Sequence, residues 1–153
     1  MPKSTSYLTL LLLTLCLLLV CGGCAQSQLY GADRVIRYDG GGDIQEYIGR
    51  VTEKQTVALD GDCYSACTIW LDRARHNPDQ SVCITPYAEF HFHLGFRYSK
   101  INGEWEFLRR FDTTPLYHSE DIAEWIAAHG GPPADGWLTM TYEDARAYWP
   151  TCT

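Results

Sequence analysis

A serine between a predicted strand and a predicted helix is the side chain best placed for covalent chemistry. Residues 59–68 (LDGDCYSACT) predict a strand, a sharp turn and a helix that begins near Ser65. The unpaired N–H groups of a helix N-terminus favour negative charge, so the N–H of Ala66 can face an oxyanion formed when Ser65 attacks a carbonyl. Serine is also a common helix N-cap, where it contributes about 1 kcal/mol without any chemistry. Both interpretations of Ser65 are open at this point.

A serine nucleophile needs a base and a second oxyanion donor. His93 lies on a predicted strand over residues 89–96, which a parallel neighbour would bring near Ser65. Gly41 or Gly42, at the end of an earlier strand, can turn a backbone N–H outward. His91 is predicted on the same strand face as His93, so a metal site completed by His118, His129 or Glu89 is a competing interpretation.

The N-terminus predicts export. Lys3 precedes an apolar run over residues 8–20, which is too short for a membrane span but fits the core of a signal peptide. Gly22-Gly23-Cys24 is similar to a bacterial lipobox, which predicts lipidation of Cys24; soluble export and an uncleaved anchor are the alternatives. We expect a signal peptide over residues 1–23, a tether over 24–32 and one domain over 33–153 in the periplasm or on the membrane as a lipoprotein.

The four downstream cysteines predict two disulfides, because an exported domain folds in an oxidising compartment. Three connectivities are open, and we expect Cys63–Cys67 with Cys83–Cys152. A zinc site at the C-x3-C pair is the rival, although no second Cys or His pair follows at the usual spacing.

Length and composition exclude several classes of protein. The chain has 153 residues, 46% of them hydrophobic and 20% charged, which suits one packed domain. Its net charge of −7 argues against a nucleic-acid partner. Gly40-Gly41-Gly42 lacks the spacing of a dinucleotide-binding loop, and we expect no cofactor and no metal.

The secondary-structure pattern predicts an α/β fold of short parallel strands alternating with helices. Asn102-Gly103 predicts a β-hairpin over residues 96–108. The other predicted elements are strands over 34–38, 56–59, 81–85 and 89–96, and helices over 43–53, 65–74, 120–129 and 142–148.

The sequence resembles the Clp-protease/crotonase superfamily, and within it small exported bacterial proteins of periplasmic type. The resemblance covers most of residues 35–152 and rests on Gly41-Gly42, residues 61–68, Val82-Cys83-Ile84-Thr85-Pro86 with Phe92-His93, Trp125-Ile126 with Gly130-Gly131, and Cys152. It implies that Ser65 is the nucleophile, His93 the general base, and Gly42 and Ala66 the oxyanion hole.

The chain departs from this family at the acidic member of the triad. The expected position holds Trp137, and Asp135 is the nearest substitute. Without an orienting acid, His93 loses control of its tautomer. Two functions follow: a serine hydrolase acting on a peptide or acyl bond in the cell envelope, or an inactive envelope protein that keeps the fold for binding or assembly. The oligomeric state is left open.

Overall fold

The computed structural model describes residues 29–153. The expected signal peptide and the lipidation of Cys24 lie outside the described residues. Among helices of the described part, none is both long and apolar enough to cross a membrane.

The described chain alternates strands and short helices. The strands are β1 (Arg34–Asp39), β2 (Gln55–Tyr64), β3 (Gln80–Ile84), β4 (Glu89–Phe92), β5 (Gly95–Ile101), β6 (Glu104–Phe111) and β7 (Leu138–Thr141). The helices are α1 (Ile44–Arg50), α2 (Ala66–Ala74), α3 (Thr114–Tyr117), α4 (Glu120–Ala128) and α5 (Tyr142–Ala145).

Strand β2 is the centre of a five-stranded sheet. β1 lies parallel along one side of β2, while β3 pairs with its first half and β4 with its last three residues, both parallel. β7 extends the sheet antiparallel to β4. Val57, Ala58 and Leu59 are completely buried in succession, as expected for a strand covered on both faces. The mixed α/β class with a parallel-rich sheet and a separate hairpin is therefore confirmed.

Several predicted boundaries are wrong, and the longest error is in β2. The sequence places its end at Leu59 because Gly61 resembles a strand breaker, but the strand continues to Tyr64. A Cβ on residue 61 would lie 2.0 Å from the carbonyl oxygen of Arg37, so glycine is what allows β1 to approach. The predicted strand over 89–96 is two strands, β4 and β5. The helix predicted over 43–53 ends at Arg50, and the final helix ends at Ala145.

Helix α2 packs into the core along its length, beside the sheet. Its buried side chains include Trp70 and Leu71, and the indole N–H of Trp149 donates to the Leu71 carbonyl at 3.2 Å. The Trp149 ring stacks on Phe90 of β4 at 4.3 Å. These contacts fix α2 relative to the sheet.

Both expected disulfides are present. Cys63 is bonded to Cys67 across the turn between β2 and α2, and Cys83 of β3 is bonded to Cys152. The second bond anchors the C-terminus, where Cys152 N–H also donates to the Ile84 carbonyl at 2.9 Å. The zinc alternative for Cys63 and Cys67 is excluded because both sulfurs are oxidised.

We expect the Cys83–Cys152 bond to be a major source of stability. It joins residues 69 positions apart, and closing a loop of that size in the unfolded chain is worth about 4 kcal/mol. The double variant Cys83→Ala/Cys152→Ala should lose about that much free energy of unfolding in urea titrations. Cys63→Ala/Cys67→Ala, which opens a loop with a separation of 4, is the matched comparison and should lose about 2 kcal/mol. A loss below about 1 kcal/mol for the first pair would contradict this account.

Candidate functional site

Ser65 occupies a backbone conformation that an ordinary N-cap does not need. Its φ is 53° and its ψ is −119°, and its side chain makes no capping hydrogen bond. Positive φ in a residue other than glycine is strained and is maintained only by its surroundings. Here Ser65 N–H donates to the His91 carbonyl at 2.9 Å, and the Thr68 hydroxyl donates to the Ser65 carbonyl at 2.7 Å. The hydroxyl of Ser65 is left free of a capping role.

The glycine turn after β1 packs directly against this serine. A Cβ on Gly41 would lie 2.5 Å from the Tyr64 carbonyl oxygen and 2.8 Å from Ser65 Cβ, and the φ of Gly41 is +72°, so both space and backbone require glycine. Gly41 N–H is occupied by Asp39 Oδ1 at 3.0 Å. Gly42 lines a groove together with Ser65 and is thus the better second oxyanion donor. Ala66, the first residue of α2, is completely buried beside Ser65.

His93 and Ser65 line the same small cavity, whose volume is about 20 Å³. The His93 ring contacts Trp137 edge to face at a centroid distance of 4.5 Å and Phe96 at 5.1 Å. Burial among these rings lowers the pKa of His93, and a hydrogen bond with the Leu94 backbone opposes the shift. A neutral imidazole at neutral pH is the form that a general base requires. Within residues 29–153 no hydrogen bond joins Ser65 Oγ to His93.

Asp135 lies apart from His93. Its carboxylate is paired with Arg110 at 3.1 Å, and its side chain is 89% exposed. Trp137, at the position where the sequence resemblance predicts an acid, contacts His93 through its ring instead. In the described part of the chain, no carboxylate forms a hydrogen bond or ion pair with His93. The structure therefore brings Ser65 and His93 to one cavity but leaves the imidazole without an acid.

A second histidine of the same cavity does have an acid, a pairing that the sequence did not predict. His118 Nδ1 lies 3.1 Å from Asp72 Oδ2, and the two side chains are 3% and 1% exposed. His118 Nε2 lies 3.5 Å from the Thr68 hydroxyl, and both residues line the cavity beside Ser65. The signal in the sequence was Asp72, a carboxylate that directly follows the apolar run Ile69-Trp70-Leu71 of the predicted helix.

Asp72 is ionised despite its burial. Burial alone would raise its pKa, but hydrogen bonds from His118 and from the N–H and hydroxyl of Ser119 outweigh that effect and lower the pKa to about 2. Arg75 adds an ion pair at 2.9 Å. The carboxylate thus connects α2 to the segment before α4, which carries His118.

We expect Asp72 to make stability depend on pH in the acid range. Because its folded pKa of about 2 lies below the ordinary aspartate value of 3.8, its contribution is complete above about pH 4 and is lost as pH falls towards 2. The contribution is about 2 kcal/mol. Asp72→Asn should remove it and flatten the pH dependence of the urea midpoint between pH 4 and 2. Asp144→Asn, at an exposed position, is the control; equal pH dependence in Asp72→Asn and wild type would refute this role.

An open groove extends from the serine to the β5–β6 hairpin. Its volume is about 1000 Å³, and Ser65, His93 and Gly42 lie on its wall. The hairpin contributes Phe96, Tyr98 and Trp105 together with Arg97 and Arg109. Such a groove has room for a peptide or an acyl chain next to the serine hydroxyl.

The histidines of the expected metal alternative are separated. His93 faces the Ser65 cavity, while His118 is bound to Asp72 and His129 Nδ1 lies 2.7 Å from the Trp125 carbonyl. Among these proposed ligands, Glu89 is the one that lies near His91, with its Oε2 3.5 Å from His91 Nε2.

In comparisons with known proteins, no family model matched the sequence, and no curated protein or solved structure matched it. The Clp/crotonase relationship therefore stays a hypothesis that rests on the motifs quoted above.

Proposed function

We propose that this protein is an exported, Clp/crotonase-like serine hydrolase that cleaves a peptide or acyl bond in the cell envelope. The observation that carries the proposal is the strained backbone of Ser65, which frees its hydroxyl beside His93 at the wall of the groove. Strain of this kind is characteristic of functional sites and of nucleophiles at strand-to-helix turns. The two disulfides agree with folding outside the cytoplasm.

The proposed reaction has two halves. Ser65 Oγ attacks the substrate carbonyl carbon while His93 accepts the hydroxyl proton, and the amides of Gly42 and Ala66 bind the oxyanion. The intermediate then expels the amine or alcohol, which takes the proton from His93 and leaves an acyl group on Ser65. Water, deprotonated by His93, attacks the acyl-enzyme; the carboxylic acid leaves and the proton returns to Ser65.

The aromatic surroundings of His93 predict a slow enzyme. Trp137 and Phe96 restrict the ring sterically, but they do not stabilise the imidazolium that forms when Ser65 is deprotonated. Where a triad acid is made neutral in a serine protease, kcat falls by about 10⁴-fold. Covalent labelling, which needs a single attack, is therefore a better assay than steady-state turnover.

A fluorophosphonate probe should label the wild-type chain at Ser65. Ser65→Ala should abolish the labelling, because it removes the hydroxyl oxygen that attacks the phosphorus. Ser81→Ala, an exposed serine on β3, is the matched control and should label like wild type. Equal labelling of wild type and Ser65→Ala would refute the proposal.

In the pH–rate profile, the acid limb, where the rate rises with pH, should lie at unusually low pH. Burial lowers the pKa of His93 from its usual 6.5, so the midpoint of the acid limb should lie below pH 6.5. The rate of probe labelling or of acyl-ester hydrolysis between pH 4 and 8 measures this, and His93→Asn should remove the limb. A limb centred above pH 6.5 would show that another group is the base.

The alternative function is an inactive envelope protein that retains the fold for binding or assembly. The observation that favours it is the pairing of Asp135 with Arg110, which leaves His93 without a carboxylate. A folded, oxidised wild-type chain that neither reacts with the probe nor hydrolyses acyl esters would support this alternative.

A further inference from the structure

Two carboxylates of the sheet lie directly opposite one another at the end of β2. Asp62 of β2 is the register partner of Glu89 in β4, and both side chains are partly exposed. Like charges in directly opposite positions destabilise a strand pair. His91, two residues after Glu89 and therefore on the same face, approaches both carboxylates.

The distances within this cluster are longer than those of charge-assisted hydrogen bonds. His91 Nε2 lies 3.4 Å from Asp62 Oδ1 and 3.5 Å from Glu89 Oε2. Ion-paired N–H groups and carboxylates usually approach to about 2.7–2.9 Å. A tetrahedral ion with bonds of about 2.0–2.1 Å holds its ligand atoms about 3.3–3.4 Å apart. The spacing around Nε2 thus suits a shared cation better than a shared proton.

The imidazole is held in a fixed orientation. The His91 side chain is 8% exposed, and its ring stacks on Tyr64 at 4.1 Å with an interplanar angle of 11°. Nδ1 lies 3.0 Å from the Thr139 hydroxyl of β7. Donation of Nδ1–H to that hydroxyl leaves the Nε2 lone pair facing the carboxylates, which is the arrangement of most metal-binding histidines.

We propose that Asp62, Glu89 and His91 form a binding site for a divalent transition-metal ion, with Zn²⁺ the best fit. One imidazole and two carboxylates supply three ligands, and the exposed side of the two acids leaves a fourth position for water. The nitrogen ligand favours zinc over calcium and magnesium. The site does not depend on the proposed hydrolase activity, and His91 contacts Ser65 through its backbone carbonyl, not through its imidazole.

A second group of possible ligands already has a cation. Asp72, His76 and Asp121 also lie close together, but Arg75 bonds Asp72 at 2.9 Å and Asp121 at 2.6 Å. The guanidinium therefore neutralises these acids, whereas the described residues place no arginine or lysine in an ion pair with Asp62 or Glu89. His76→Asn is consequently a good control variant.

Zinc titration of the untagged, oxidised chain tests the site. Calorimetry should show one ion per chain, and zinc at a hundredfold excess over its Kd should raise Tm by about 5–10 °C. Calcium and magnesium at the same concentration should raise Tm by less. Glu89→Gln should weaken zinc binding at least ~10-fold, as should Asp62→Asn, while Thr139→Val should weaken it by about 10-fold through the orientation of His91.

Glu89→Gln also separates a metal site from a merely structural cluster. Without zinc it should be as stable as wild type or slightly more stable, because it removes the repulsion between the two carboxylates; with zinc it should gain no stability. His76→Asn should keep the full response. The proposal is overturned if zinc does not bind, if Glu89→Gln binds zinc like wild type, or if calcium and magnesium stabilise the chain as strongly as zinc.

Discussion

The site depends on one backbone constraint: β2 runs directly into α2 through a single residue with positive φ. Ser65 can adopt this conformation only because four neighbours determine it together. The His91 carbonyl holds its N–H, Thr68 holds its carbonyl, the Cys63–Cys67 bond closes the turn, and Gly41 packs against its Cβ. They belong to the sheet, the helix and the glycine turn, so the strain of one residue is distributed over three parts of the fold.

This constraint explains which predictions from the sequence succeeded. The strand, Ser65 and the helix could be predicted because apolar periodicity and a turn signal are local properties. The disulfides could be predicted as a set from the compartment, and both pairs agree with the structure. The length of β2 could not be predicted, because the need for glycine at position 61 comes from the nearby Arg37 backbone of β1. β7 was missed for the same reason: four residues beside a glycine-rich loop carry a weak signal until β4 is present to pair with them.

The roles of the histidines were the least predictable part, since they depend on the charges around each ring. His91, His93 and His118 are close in the sequence, yet their environments differ. His118 has a buried carboxylate, His91 has two partly exposed ones, and His93 has aromatic rings. Periodicity assigns a side chain to a strand face but does not identify its partner across the sheet.

The position of the buried carboxylate distinguishes the two histidines of the cavity. Asp72 and His118 form a buried, oriented pair on one wall, while His93 stands on the same cavity without a carboxylate. If His118 were the base, it would need to reach Ser65 past Thr68, whose hydroxyl is already committed to the Ser65 carbonyl. The Asp72–His118 pair is therefore better placed to hold the first turn of α2, and the turn of Ser65 with it, than to take the proton. His93, which borders both the cavity and the groove, remains the residue that a bound substrate would meet together with the serine hydroxyl.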